Sequence, residues 1–269
     1  MIEETSGSGT SRATSPGDDR YTIVIPARHG SSRFPGKPLQ RLNGRPMILH
    51  ALDRARESAA SCVVVATDDD RIGAVCRAAG ADVELTRADH PSGTDRIAEV
   101  AERRGWDDAT MIVGLQGDEP ATPPERLDAL AANLAGRPDA DMATFCLPIA
   151  RAEDWRDPMR VKVVRDARNM ALYFSRAPIP WRRDDPADGS FPAAFVHVGL
   201  YAYRCGYLRR YSALTPSDAE REEQLEQLRV LHHGGRIHVA TVDGGGAHGV
   251  DVPEDVAAAE HALAAMTAS

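Results

Sequence analysis

The sequence predicts an α/β fold: a doubly wound, mostly parallel sheet formed by one chain of 269 residues. Three observations point there. Residues 21–26 (YTIVIP), 62–67 (CVVVAT) and 111–115 (MIVGL) are continuous apolar runs, with the length and composition of strands buried on both faces. Amphipathic stretches lie between them, several opened by proline or serine and closed by glycine. Strand and helix alternating at this spacing require right-handed crossovers, which build a parallel sheet.

The elements follow in order. Residues 1–20 (MIEETSGSGTSRATSPGDDR) are polar and have no apolar signal-peptide core, so they are expected to be a disordered tail outside the fold. The strand at 21–26 runs into a loop, after which Pro46 opens a helix that places Ile48, Leu52 and Ala55 on one face. The strand at 62–67 ends at Asp68–Asp70; a helix to Ala79 follows, with Gly80 just past its end, then a short strand at 83–85. Ser92 is placed to cap the next helix, which Gly105 ends. A helix at 123–136 starts on a proline pair and stops at Gly136. From residue 141 the pattern changes to shorter alternating strands, MATFCLPI, RVKVVRD and HVGLYAYR, and a polar loop rich in Pro, Asp and Gly precedes the last of them. This predicts a single domain over 21–269, with a first half at 21–140, an inserted lobe at about 141–215 and a return to the sheet at 216–269. One helix over 220–232, a strand at IHVATVD and a final helix in PEDVAAAEHALAAM complete it.

Composition narrows the function classes. A net charge of −8 and a pI near 5.6 argue against general nucleic-acid binding, which needs a basic face. No apolar run approaches a membrane span. Cys62, Cys76, Cys146 and Cys205 form no CxxC pair and read as small hydrophobes in a reducing cytoplasm, not as a zinc site.

Against that acidic background, the stretch IPARHGSSRFPGKPL gathers Arg28, Arg33 and Lys37 within ten residues. Cations on a glycine-containing turn after a buried strand are a way to hold a polyphosphate. The pattern is neither GxxxxGK[ST] nor GxGxxG. In a doubly wound sheet, ligands bind beyond the carboxyl ends of the strands, where this loop lies. LQGDEP places Asp118 at the same end, sited either to hold Mg²⁺ or to open a turn before Pro120. GVDVPED offers Asp251 as a second carboxylate that could share the metal.

IPARHGSSRFPGKPL, TRADHPSGTDR, LQGDEP, YFSRAPIPW, HVGLYAYR, EQLEQLRVL and GVDVPEDV occur in the order found in 3-deoxy-manno-octulosonate (Kdo) cytidylyltransferases, and the chain resembles that family from Tyr21 to about Glu260. The resemblance implies the nucleotide-diphospho-sugar-transferase fold, Mg²⁺, CTP as donor, a small acidic acceptor and a cytoplasmic homodimer. Carried over by position, Pro26, Ala27, Arg28, Arg33, Lys37, Ser92 and Gln116 would contact CTP. Asp118 and Asp251 would hold the metal, and Arg176, His197, Tyr201, Glu226 and Gln227 would grip the acceptor. Arg28, Arg33, Lys37 and Asp118 would carry catalysis. The departures fall mostly toward the acceptor side. Gly114 replaces the family's usual asparagine before QGDEP, Val196 its arginine before the histidine of strand HVGLYAYR, and Arg160 an asparagine, while the loop between Trp181 and His197 is short. These keep a small phosphonate, such as phosphonoformate, open as the alternative acceptor. A CMP-sialic acid synthetase and a silent CTP-binding regulator are the remaining readings.

Overall fold

The computed structural model describes residues 21–30, 34–184, 191, 193–244 and 249–267. The tail and Arg33 lie outside the described residues. In chain order the strands are β1 (Tyr21–Ala27), β2 (Arg41–Leu42), β3 (Arg45–Pro46), β4 (Cys62–Thr67), β5 (Asp82–Leu85), β6 (Met111–Gly114), β7 (Met142–Pro148), β8 (Lys162–Arg165), β9 (Ala171–Ser175), β10 (Phe195–Arg204) and β11 (Ile237–Thr241). The helices are α1 (Met47–Glu57), α2 (Asp70–Ala78), α3 (Gly93–Arg103), α4 (Pro124–Ala135), α5 (Ala152–Arg156), α6 (Cys205–Tyr211), α7 (Asp218–Glu223), α8 (Gln227–His232) and α9 (Val256–Thr267). Short 3-10 turns cover Lys37–Leu39 and Pro253–Asp255.

The central sheet runs β11-β7-β10-β6-β1-β4-β5. β1 pairs in parallel with both β4 and β6, and β4 with β5, as the apolar runs require. β10 is antiparallel to β6 and β7 and joins the parallel β7–β11 pair to the rest. β7 and β10 are therefore strands of the main sheet. What leaves it within the 141–215 stretch is the β8–β9 hairpin, attached through β10.

Both faces of the sheet are buried. Ile23 and Ile25 pack with Ile48, Leu52, Leu127 and Leu130 on one side, and the intervening Val24 packs with Val64, Ile97, Val100 and Tyr203 on the other. Each such side chain, fully removed from water, contributes roughly 1.5–3 kcal/mol. A smaller cluster of Leu42, Met47, Ala121, Val250, Ala259 and Leu263 seats α9 against the β2–β3 hairpin and holds the end of the chain near the first loop.

Sequence and structure differ in several short elements, among them the β2–β3 hairpin and α5, for which the sequence reading had no element. The single helix expected at 220–232 is two helices. Ser217 and Glu220 form a reciprocal capping box at the start of α7, and Gln224 then takes a left-handed backbone (φ 53°) that ends it before α8 begins. Strand β9 and helix α6 were not foreseen. β9 exposes Leu172 and Tyr173 and so lacks the alternation of a half-buried strand, and α6 follows β10 without a loop.

Candidate functional site

Three loops at the carboxyl ends of β1 and β6 and before α9 are held together by backbone contacts. Gly36, with φ 72°, turns the first loop back so that its N–H donates to the His29 carbonyl at 3.0 Å, and the 3-10 turn that follows buries Lys37. Gly117 donates to the Pro26 carbonyl at 3.2 Å, a close approach that leaves little room for a side chain, since a Cβ there would stand 3.2 Å from that carbonyl oxygen and 2.9 Å from Ile48 Cδ1. Val250 donates to the Asp118 carbonyl at 2.9 Å, which brings the segment carrying Asp251 alongside the β6 loop. Two aspartates 133 positions apart in the sequence are thereby made neighbours.

Their side chains meet at one cation. Lys37 Nζ forms an ion pair with Asp118 Oδ2 and lies 3.5 Å from Asp251 Oδ1. The Lys37 side chain is 9% exposed, against 30% and 52% for the two aspartates, so the carboxylates open outward while the ammonium lies behind them. The next residue, Glu119, feels the same crowding of negative charge. Burial, then the neighbouring Asp118 carboxylate, pushes its carboxyl up to about 8.

Around this point lies a cavity of about 250 Å³, lined by Pro26, Ala27, Arg28, Lys37, Ser92, Gln116, Asp118, Glu226 and Asp251 among others. The structure thus collects on one cavity every described residue assigned from sequence to the nucleotide and the metal, together with Glu226 from the acceptor set. Arg28 is exposed at its mouth. Ser92 is the N-cap of α3, as its position before GTDRIAEV implied, and accepts the Asp95 N–H at 3.1 Å.

The other acceptor-side residues lie further out. Tyr201 and Gln227 share with Glu226 a small adjoining pocket, tightly packed with Tyr203 and Tyr211. The His197 ring lies 5.3 Å from that of Tyr201 and is hydrogen-bonded to Thr144 Oγ1 at 3.0 Å; burial drives its basicity down to about 3, so it is neutral. Arg176 does not line the nucleotide cavity. Its Nε donates to the Glu223 carbonyl at 2.7 Å and Nη1 to the Pro158 carbonyl at 3.1 Å. Beneath it, fully buried Lys162 donates to the carbonyls of Asp157 and Arg176 at 2.7 Å, with burial lowering its pKa.

Sequence reading missed a set of charged residues behind the cavity. Arg96, 2% exposed, lines the wall and pairs with Asp68 at 3.2 Å. His90 lines it too and pairs with Glu99, whose carboxylate also accepts the Arg87 N–H at 3.0 Å. Arg229, 4% exposed, is held by both carboxylate oxygens of Glu220 and lies 3.8 Å from Asp95. Asp95 alone had a local signal, the Ser-x-x-Asp spacing of a capped helix start. The others pair across turns or between elements, at separations of nine (His90 with Glu99, Glu220 with Arg229) to 28 residues (Asp68 with Arg96), which no helix or strand period marks.

The departures from the family pattern also have physical contexts. Gly114 is closely packed: a Cβ there would stand 2.8 Å from Ile97 Cδ1 and 3.5 Å from the Tyr203 ring, so a larger residue needs Ile97 to shift. Arg160 pairs with Asp154 at 3.3 Å, so the additional cation is balanced locally.

A family model described as cytidylyltransferase matches residues 22–237. The chain is 52% identical over 248 residues to a 3-deoxy-manno-octulosonate cytidylyltransferase from Halorhodospira halophila, an alignment covering 90% of this chain and 96% of the relative. It is 51% identical over 252 residues to the protein of that name from Methylococcus capsulatus, covering 92% and 98%. Among solved structures, a CMP:2-keto-3-deoxy-manno-octonic acid synthetase complexed with CTP superposes with a TM-score of 0.84 at 42% identity, over 92% of this chain and 99% of that one. A 4-diphosphocytidyl-2C-methyl-D-erythritol synthase, at 16% identity and a TM-score of 0.59, shares the fold.

Proposed function

The chain belongs to the cytidylyltransferase family, in its 3-deoxy-manno-octulosonate branch, and from that premise we propose that it transfers CMP from CTP to Kdo with release of pyrophosphate. The observation that carries the reading is the convergence of Arg28, Lys37, Ser92, Gln116, Asp118 and Asp251 on one cavity at the strand ends. In the reaction an acceptor hydroxyl oxygen forms a bond to the α-phosphorus and gives its proton up to solvent, the bond from that phosphorus to the oxygen bridging to the β-phosphate breaks, and its electron pair leaves with pyrophosphate.

The protein positions the reactants and neutralises charge, and no covalent intermediate on a side chain is needed. Arg28 and Lys37 face the phosphates and stabilise charge gathering on the leaving group. Arg33 belongs to the same loop and is proposed, from its place in the motif, to share that role. Ser92 and Gln116 hold the nucleoside. Glu226 stands where the nucleotide cavity meets the pocket of Tyr201 and Gln227, and those three, with His197 and Arg176, are proposed to orient the acceptor.

The donor set suits Mg²⁺. Two carboxylates converge on one point, where the Lys37 ammonium now sits, and hard oxygen ligands of this kind are what a divalent ion displacing or moving that ammonium would take. Asp118 and Asp251 would hold the ion, which when bound supplies charge neutralisation at the phosphates. Among the described residues no group of three or more His, Cys, Asp or Glu could hold a metal, so Asp118 and Asp251 would need oxygens of the nucleotide or of water to complete the ion's coordination.

The homodimer is proposed on the β8–β9 hairpin and its neighbourhood, where Leu172, Tyr173, Met159 and Trp181 are exposed apolar side chains. No helix among the described residues is long and apolar enough to cross a membrane, and cytoplasmic residence is proposed from the chemistry. Among the described residues nothing favours a phosphonate acceptor, since Arg160 is balanced by Asp154, and much of the short loop between Trp181 and His197 lies outside them.

The deciding experiment is pyrophosphate release across a panel of sugar acids, sialic acid and small phosphonates with each nucleoside triphosphate. Release is expected only when CTP, Mg²⁺ and Kdo are present together. Release with phosphonoformate but not Kdo, or CTP binding without turnover on any acid, would refute it.

A further inference from the structure

The hydroxyl of Ser92 is committed on its inner side. It donates to Asp95 Oδ2 at 2.6 Å and accepts the Asp95 backbone N–H at 3.1 Å. A serine hydroxyl has one proton and two lone pairs. One proton and one lone pair are thus spent on Asp95, and what remains at the cavity wall is a lone pair. Glu226, which lines the same wall, also lies within hydrogen-bonding reach of Ser92 and Thr94 and adds carboxyl oxygens beside it. Two acids flank one hydroxyl, so the Ser92 proton is satisfied inside the protein.

Asp95 is itself fixed from behind. Its other oxygen, Oδ1, faces Arg229 Nη1 at 3.8 Å, and Arg229 is buried, clamped by Glu220 and stacked over the Tyr211 ring with its guanidinium carbon 4.7 Å from the ring centre. A guanidinium has only donors, so the group facing it must be an acceptor.

We propose that Asp95, backed by Arg229, is a positioning residue that sets the polarity of Ser92, so that this wall accepts hydrogen bonds and selects a nucleotide carrying a donor at that point. The proposal rests on the reading of the cavity as a CTP site. CTP carries such donors at the exocyclic amine of cytosine and at the ribose hydroxyls. UTP places an acceptor where cytosine has its amine, and the 2′-deoxy and 3′-deoxy analogues of CTP each lack one ribose donor.

The test is Asp95→Asn, a near-isosteric change whose outcome the geometry dictates. The amide oxygen must face the Arg229 donors, which turns the amide NH₂ toward Ser92 and frees the serine proton; because Glu226 could take that proton, Asp95→Asn is also made in a Glu226→Leu background and compared with Glu226→Leu alone, where the proton is left to point into the cavity. The measured quantities are kcat/KM for CTP, UTP, 2′-deoxy-CTP and 3′-deoxy-CTP, together with the thermal shift each nucleotide gives without acceptor. One of the three CTP-to-analogue ratios is expected to fall about tenfold, the value of a single hydrogen bond of this kind. Which ratio falls identifies the donor. A change confined to folding would lower all four values together, and Arg229→Lys serves as that control, with stability reduced and the ratios unchanged. If Asp95→Asn does not fold, Ser92→Ala is expected to lower the same single ratio. Ratios within about twofold of the parent in the variant that folds would overturn the proposal. Failure of the unmodified protein to use CTP would instead overturn the assigned function.

Discussion

Asp118→Asn separates a role in chemistry from a role in folding. The substitution removes a carboxylate charge and leaves the Lys37 ammonium, 9% exposed, with Asp251 at 3.5 Å as its remaining ion-pair partner among the described residues. Removing one member of a fully buried pair costs about 3–5 kcal/mol, whereas an exposed pair is worth about 0–1 kcal/mol. Asp118 is 30% exposed and Lys37 retains a second acid, so the expected cost is about 1–2 kcal/mol. In a domain of this size that lowers Tm by about 2–8 °C. Turnover is expected to fall much further, at least about a hundredfold in kcat/KM, equivalent to about 2.7 kcal/mol of transition-state stabilisation. The assays are thermal unfolding and CTP-dependent pyrophosphate release with Mg²⁺ in excess. Retention of more than about a tenth of the parent kcat/KM would remove Asp118 from the metal and phosphate site. A Tm loss beyond about 15 °C would make it a folding residue and void the interpretation.

Lys37→Met is expected to raise the KM for CTP about ten- to a hundredfold through loss of a charge-assisted contact to phosphate, and an unchanged CTP dependence would take Lys37 out of the donor site. His197 is held neutral, with its pKa lowered from 6.5 to about 3 by burial. The unfolded chain therefore takes up a proton below pH 6.5 that the folded chain refuses, so stability is intact above that pH and is lost as pH falls toward 3. His197→Gln should flatten urea-midpoint against pH over that window, and parallel curves would contradict the shift. Gly114→Asn, which restores the residue more usual in the family, should destabilise by about 1–3 kcal/mol through overpacking against Ile97 and Tyr203, read as a lower urea midpoint, with an equal or higher midpoint counting against the packing argument.

The donor half was legible because its information is local. A β-branched run marks β1, the turn after it carries its own glycine and cations, and Asp118 is fixed one short step beyond a buried strand. Ser92 could be read as a helix cap from spacing alone, and the cap is present. The acceptor half resisted because its elements are short and depend on partners far away. Gln224 breaks a stretch whose composition is helical throughout, and Arg176 is held by Glu223, which the single expected helix would have pointed elsewhere. Buried charges such as Lys162 and Arg229 violate the hydrophobic pattern, and only tertiary hydrogen bonds explain their burial.

The break at Gln224 also bears on how the two halves meet. It ends α7 so that Glu226 begins a new helix, α8, facing the cavity, while Glu220 on α7 turns back to hold Arg229 on α8. Had the helix run on unbroken, Glu220 and Arg229 would be nine residues apart, about 13 Å along its axis, too far for a direct ion pair. The kink folds that distance away and leaves Arg229 between Glu220 and Asp95, the latter on α3. α3 also carries the Ser92 cap at the nucleotide wall, and α8 carries Gln227 at the acceptor side. A left-handed residue in an exposed turn thus links the sites for donor and acceptor through one buried ion pair, and substituting Gln224 by Gly, which adopts that backbone at no steric cost, should preserve the link, whereas Val should weaken it. Measured as KM for CTP and for Kdo, the valine variant is expected to raise both while the glycine variant raises neither. A valine variant that shifted only one of the two would show that the helices move independently.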